Sequence, residues 1–383
     1  MATFNGQNLK LARQYNGLTI SELAKKINIS SQAESQYELG QTTPQFDNLI
    51  KLSDALHFPT TFFFQKSKIS VKAGSSYFRS LMKTSKKYRD EQVIKIKFLT
   101  ELYTVLEEYI EFPKEDLPRN EEGYESPENA AQKLREFWNL GDEPILNMVT
   151  LLESKGFIIS SFETSTTDID AFSQYFEIEG RPVFIIAFSN NKNSAARINF
   201  DLAHELGHIM LHEWSEDNEN ISREDFKQHE KEANAFAAAF LLPEKKFSAD
   251  LKFMPSDIGH YIELKKKWRV SIAAMLHRAC ELGIITQNQY QYNLRVMNAK
   301  GQRINEPLDD VIAVSYPSML SNAVSLLVDN KVFTKTALIK EFANYGLSMN
   351  PEELEKLLSL QKGYLSDDEA KDSNPFILKI KQE

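Results

Sequence analysis

Leu202-Ala203-His204-Glu205-Leu206-Gly207-His208-Ile209-Met210 is the stretch on which the reading of this chain turns. It holds an H-E-x-x-H motif. On a helix, residues i and i+4 lie one above the other, so both imidazoles can reach a single ion. Glu205 projects beside them, where it can take a proton from water that the ion activates. Ile198, Phe200 and Leu202 precede the motif, and Ile209, Met210 and Leu211 follow it. That apolar frame predicts a core helix, in which ionisable groups are costly unless they are partnered.

A catalytic zinc takes three protein ligands and keeps one open position. The candidates for the third are Glu230 and Glu232, in His229-Glu230-Lys231-Glu232-Ala233-Asn234-Ala235-Phe236-Ala237. The apolar stripe at Ala233, Phe236, Ala237 and Phe240 makes this a second core helix. Glu230 is preferred. Asn234 lies one turn after it and could hydrogen-bond the far nitrogen of a liganding histidine. His212 extends the i, i+4 series but sits roughly 12 Å from His204 along a straight helix. It is therefore expected at the rim of the cleft. His229, His260 and His277 are expected to be structural or on the surface. Zinc suits this ligand set best, and manganese also fits it.

Outward from the motif, Leu151-Leu152-Glu153, Gly156 and Phe157-Ile158-Ile159 read as helix, cap and strand. Ala171–Ile178 and Val183–Phe188 read as two more strands. Ser126-Pro127 opens a helix with a cap and an early proline. Pro113 and the acidic segment 113–127 mark the strongest domain boundary. Upstream, 65–112 reads as a loop and then a long helix carrying Val93, Ile96, Leu99, Leu102, Leu106 and Ile110. Residues 7–64 read as short helices. Thr19 with Glu22 has capping-box spacing, Ser30 is a cap, Gly40 ends a helix, and Thr43-Pro44 opens the next. Helix, short turn, helix is the geometry of a helix-turn-helix unit.

At 383 residues the chain is too long for one ordinary core. It has one cysteine, Cys280, so no internal disulfide can form. There is no apolar run of membrane-spanning length and no secretory signal, so a cytoplasmic protein with no membrane role is expected. Net charge is −9, yet 66–97 carries ten Lys/Arg against Asp90 and Glu91. That block is a nucleic-acid footprint or a solvated helix face. The expected division is 1–64, 65–125, 126–307 and 308–383, with the last region helical and its end, 366–383, frayed. The expected fold class is mainly α with a small β-sheet (α+β).

Two resemblances follow. Arg197-Ile198-Asn199-Phe200-Asp201-Leu202-Ala203-His204-Glu205-Leu206-Gly207-His208, then Glu230-x-x-Ala233-Asn234-x-Phe236-Ala237 and Leu241-Leu242-Pro243, resemble the ImmA/IrrE metallopeptidases. Glu143-Pro144-Ile145, and Leu264-Lys265-x-x-Trp268-x-Val270-Ser271 running to Arg278 and Leu282-Gly283-Ile284-Ile285, resemble the same family. The match covers roughly 125–307. It implies a gluzincin-like domain with His204, His208 and Glu230 as metal ligands and Glu205 as base. It also implies cleavage of a repressor or antitoxin-like protein in a stress or mobile-element response. Leu9-x-x-x-Arg13, Gly17-Leu18-Thr19-x-x-Glu22-Leu23-Ala24, Ile29-Ser30 and Tyr37-Glu38-x-Gly40-x-x-x-Pro44 resemble the five-helix Xre class of helix-turn-helix domains. In that class the helix at about Ser30–Leu39 enters the major groove of double-stranded DNA. Ser31, Gln32 and Gln36 can read base edges there. This helix has no Lys or Arg. Glu34 stands where an apolar residue is usual, and Glu38 adds negative charge. Phosphate anchoring then falls to Lys10, Arg13, Lys25, Lys26 or the basic block. Two other readings stand beside the peptidase: a regulator whose peptidase-like domain senses a ligand or docks a partner, and an antitoxin-like binding protein. A homodimer is compatible with each.

Overall fold

The computed structural model describes residues 3–69, 85–118, 123–162, 170–178, 180–191, 194–212 and 222–366, and the backbone of 71–77. Residues 70 and 78–84 of the basic block and nearly all of the tail expected to fray lie outside the described residues. The chain divides into two units.

The first unit combines residues 1–71, 85–111 and 318–383. Helices α1 (Gly6–Tyr15), α2 (Ile20–Ile27), α3 (Ser31–Glu38) and α4 (Phe46–Leu56) are followed by a 3-10 turn, Thr60–Phe64. Leu9, Ala12, Leu23, Ile27, Leu52 and Leu56 form the buried centre. Helix α2 starts on a full capping box between Thr19 and Glu22. The Ser30 hydroxyl caps α3 by accepting from Ala33 N. Gly40 follows α3 at φ 68°, a conformation that favours glycine. Helix α4 begins at Phe46, after Gln45, slightly later than Thr43-Pro44 suggests.

A strand, β1 (Val71–Tyr77), lies where the sequence reads as loop. The long helix follows as α5 (Lys86–Glu107). The C-terminal helices α14 (Met319–Asp329), α15 (Lys335–Asn344) and α16 (Pro351–Leu357) complete this unit. Tyr15 Oη donates to Glu353 Oε2 at 2.8 Å, Gln65 Nε2 to the Ala343 carbonyl at 3.0 Å, and Asn350 Nδ2 to the His57 carbonyl at 2.8 Å.

The second unit, residues 72–84 and 112–317, holds the sheet and the H-E-x-x-H helix. Strands β2 (Ile158–Phe162), β3 (Ala171–Ile178) and β4 (Arg181–Ser189) join β1 in the order β1-β3-β4-β2. β3 runs antiparallel to β4, with Ala171 opposite Phe188, and β2 runs parallel to it, with Ile158 opposite Ile185. Around the sheet are α6 (Pro127–Phe137), α7 (Met148–Ser154), α8 (Ala195–Leu211), α9 (Arg223–Leu241), α10 (Glu244–Leu251), α11 (Ile258–Trp268), α12 (Ile272–Glu281) and α13 (Gln287–Ala299). Helices α8 and α9 share a core with Ala171, Phe184, Ile186 and Phe188, one face of the sheet. The fold is mainly helical with a small sheet, α+β as expected.

Candidate metal centre

Both histidines of the motif sit on α8, facing α9. The two helices meet at Gly207, between the histidines. A Cβ there would lie 3.0 Å from Phe236 Cδ1 and 3.1 Å from the Ala233 carbonyl oxygen. A missing side chain on one helix and a small one on the other allow the close crossing. Glu230 stands one turn before Ala233 and is thereby carried up to the histidines.

The three groups converge. His204 Nε2 and His208 Nε2 are 3.0 Å apart. Glu230 Oε2 is 3.7 Å from His204 Nε2, and Oε1 is 3.4 Å from His208 Nε2. One ligand atom from each lies within 4.8 Å of the others, and all three residues are buried. Two imidazoles and a carboxylate, all facing one point, are the donor set of a catalytic zinc site with an open position. The residues therefore fit the metal.

Glu205 is also buried and turns toward the sheet. Its Oε2 accepts a hydrogen bond from Ser173 Oγ at 2.6 Å. Ser173 is fully buried on β3, on the same face as Ala171 and Tyr175. Sequence reasoning missed it. The one trace is a small polar residue at a core-facing position of an otherwise apolar strand.

His212 is not at a rim. Helix α8 ends at Leu211, and His212 adopts an extended conformation (φ −118°, ψ 149°). This turns its ring back, with Nδ1 3.0 Å from His208 Nδ1. Its Nε2 lies 3.1 Å from Glu232 Oε2, and Gln228 Nε2 donates to Glu232 Oε1 at 2.7 Å. The His229 ring stacks on His212 with centroids 4.0 Å apart. Burial and the His229 ring push the His212 pKa down to about 4, against the opposing pull of Glu232. Asn234 does not reach a histidine. Its amide donates to the Glu230 carbonyl at 2.7 Å, on its own helix. Glu232 pairs with His212, while Glu230 joins the histidines. His260 meets the Asp250 carbonyl, and His277 pairs with Glu281, both remote from these groups in sequence.

The segments flanking the site hold α8 and α9 in place. Lys265 is fully buried, bonding Glu306 Oε2 at 2.8 Å and Asp309 Oδ1 at 2.7 Å. Asp309 also accepts from Ser194 Oγ, just ahead of α8. Glu306 accepts from the Ile272 and Ala273 amides at the start of α12. Arg278 binds the Leu242 carbonyl, at the end of α9, and Glu128.

In the first unit, Ser31 and Gln32 are exposed and Gln36 half-buried on α3. Glu34 and Glu38 are both buried. Arg13 grips Glu38 through Nε at 2.5 Å and Nη2 at 3.0 Å, and donates to the Leu18 carbonyl. Arg13 is therefore engaged inside the domain and is not available to a phosphate. Lys26 Nζ donates to the Ala55 carbonyl, while Lys10 and Lys25 stand exposed. Neither Glu34 oxygen has a hydrogen-bond partner. Burial, and then the nearby Glu38, push its pKa up to about 7, with Arg13 opposing.

Both domains have matches among known proteins. Residues 157–279 match the family model of the IrrE N-terminal-like peptidase domain, and residues 9–63 match a helix-turn-helix model. The HTH-type transcriptional regulator ImmR of Bacillus subtilis (strain 168) is 39% identical over 67 residues, which is 18% of this chain and 53% of that protein. The match thus spans about half of that regulator. The chain carries an IrrE-like, peptidase-like domain and, ahead of it, a helix-turn-helix domain of the Xre type.

Proposed function

We propose that this chain is a metal-dependent endopeptidase that cuts a specific repressor or antitoxin-like protein, acting in a stress or mobile-element response. The observation that carries the reading is the convergence of His204, His208 and Glu230 beside a Glu205 carboxylate held by Ser173. His204, His208 and Glu230 would hold the metal, zinc by the nature of the donors, although manganese accepts the same set. A zinc ion there supplies the Lewis acidity that makes water a nucleophile near neutral pH.

The chain's own residues do the rest. Ser173 donates to Glu205 Oε2 and so fixes the orientation of the carboxylate that would act as the base. Glu205 takes one proton as the water oxygen bonds to the scissile carbonyl carbon. It returns that proton to the amine nitrogen as the C–N bond breaks, so protons balance over the cycle. General-base help of this kind contributes roughly 10²–10⁴-fold. Sheltering by the surrounding core strengthens every charge interaction in the site.

The helix-turn-helix domain favours a second activity in the same chain. We propose that Ser31, Gln32 and Gln36 on α3 face base edges of double-stranded DNA, with exposed Lys10 and Lys25 at phosphates. A relative, ImmR, is an HTH-type transcriptional regulator. A chain in which DNA binding is the main activity would use the peptidase-like domain to sense or dock.

The test is zinc content by elemental analysis after gel filtration, for wild type, Glu205→Gln and Glu230→Ala. The peptidase reading expects about one zinc per chain in the first two and little in the third. It also expects repressor cleavage to be lost in Glu205→Gln. Metal retained with cleavage absent in every form would favour the regulator reading. No metal in any form would refute the site.

A further inference from the structure

We infer that His212 and Glu232 are positioning residues that lock His208 in the one tautomer able to bind the metal. This inference rests on the metal reading above and extends it to residues outside the ligand set.

His208 Nε2 is the nitrogen that faces His204 Nε2 and Glu230 Oε1. To bind a cation, that nitrogen must offer a lone pair. The single proton of the neutral ring then sits on Nδ1. His208 Nδ1 is 3.0 Å from His212 Nδ1, so it donates there, and His212 Nδ1 must accept. The proton of His212 is therefore on Nε2. That atom is 3.1 Å from Glu232 Oε2, a carboxylate oxygen that can only accept. Each donor in the run meets an acceptor, and the run ends on an anion. Reversing it would put a proton on His208 Nε2, against the metal, and would leave His212 Nε2 facing Glu232 with a lone pair. The terminal carboxylate forbids that direction.

The neighbours hold this run in place. Gln228 Nε2 donates to the other oxygen of Glu232, and the His229 ring stacks on His212. His212, Gln228, His229 and Glu232 thus act on a ligand without touching the metal point. Orientation of a liganding imidazole by a carboxylate through its far nitrogen is worth about 10–100-fold in metal affinity. Here a second imidazole spans the gap.

The experiment measures zinc dissociation constants by chelator competition on the full chain. The variants are His212→Phe, His212→Asn and Glu232→Gln. His212→Phe keeps a ring against His229 but removes both nitrogens, and roughly 10–100-fold weaker binding is expected. His212→Asn keeps an acceptor near His208 Nδ1 and should recover part of the loss. Glu232→Gln keeps the shape on a partly exposed surface but removes the charge, and a smaller weakening is expected. Nitrogen-15 spectra of the metal-free wild type should show His208 protonated on Nδ1 and His212 on Nε2. His212→Phe should show a tautomer mixture at His208. If His212→Phe fails to fold, Glu232→Gln and the wild-type spectrum decide. Unchanged affinity in His212→Phe or, failing that, in Glu232→Gln would overturn this inference alone, as would a metal-free His208 protonated on Nε2. A wild type that takes up no zinc would overturn the metal reading and this inference together.

Discussion

Replacing Glu34 by Leu should stabilise the first unit, and by an amount that depends on pH. Glu34 is fully buried on α3. Neither carboxyl oxygen has a hydrogen-bond partner, and its pKa is pushed up to about 7. The unfolded chain titrates this group near its ordinary value of 4.5. The folded state therefore binds more protons than the unfolded state between those two values. Stability must fall as pH rises through that window. Burying this carboxyl costs about 3 kcal/mol at about pH 8.5, where it is ionised, and about 1 kcal/mol at about pH 5.5, where the folded chain holds it protonated, so about 2 kcal/mol returns on acidification. Any change in packing from the leucine adds an offset that does not vary with pH. The assay is urea unfolding followed in two ways. All three tryptophans, Trp138, Trp214 and Trp268, lie in 112–317, so fluorescence reports the second unit. Circular dichroism reports helices of both. The gap between variant and wild type should widen with pH in the dichroism and be absent from the fluorescence. An equal gap at both pH values would show that the Glu34 carboxyl is not held ionisable and unpartnered in the core.

Three further outcomes are expected. Gly207→Ala should force α8 and α9 apart at Phe236 and Ala233, costing about 1–3 kcal/mol, with weaker zinc binding in the same chelator assay; an unchanged melting temperature would refute the tight crossing. Lys265→Met removes the cation that answers buried Glu306 and part-buried Asp309 and should cost about 3–5 kcal/mol, read as an earlier loss of tryptophan fluorescence in urea. Ser173→Ala should leave zinc content intact while lowering kcat more than it raises KM, because the hydroxyl orients the base and not the metal; a loss of zinc would refute that assignment.

Much of the site could be read from the sequence because it is local. His204 and His208 are one helical turn apart, and their apolar frame announces a core helix. Glu230 stands on a second helix whose stripe of Ala233, Phe236 and Ala237 predicts which face turns inward. The caps at Thr19, Ser30 and Ser126 were legible for the same reason, since each bonds within three residues. What escaped was non-local or rested on where a helix stops. A straight α8 would carry His212 far from His204, but the helix ends at Leu211 and the ring turns back. Ser173 meets Glu205 across 32 residues, and Lys265 meets Glu306 across 41. Glu34 reads as an anomaly in an apolar position, and its burial without a partner needed the structure. The union of α14–α16 with the helix-turn-helix domain leaves no local pattern at all.

The same non-local bonds explain how a cluster of ionisable groups survives in a packed interior. Isolated buried charges are expensive, and each here is answered from a different element. Ser173 on the sheet holds Glu205, the Gly207–Ala233 contact sets Glu230, and Lys265 with Asp309 fixes the segment where α8 begins. Glu205 and the ligands cannot drift relative to one another unless several of these constraints fail together. This makes the conservative changes the informative ones. Ser173→Ala, Glu232→Gln and His212→Asn each relax one support while the proposed ligands His204, His208 and Glu230 stay, so together they separate the placing of the proposed base from the holding of a metal.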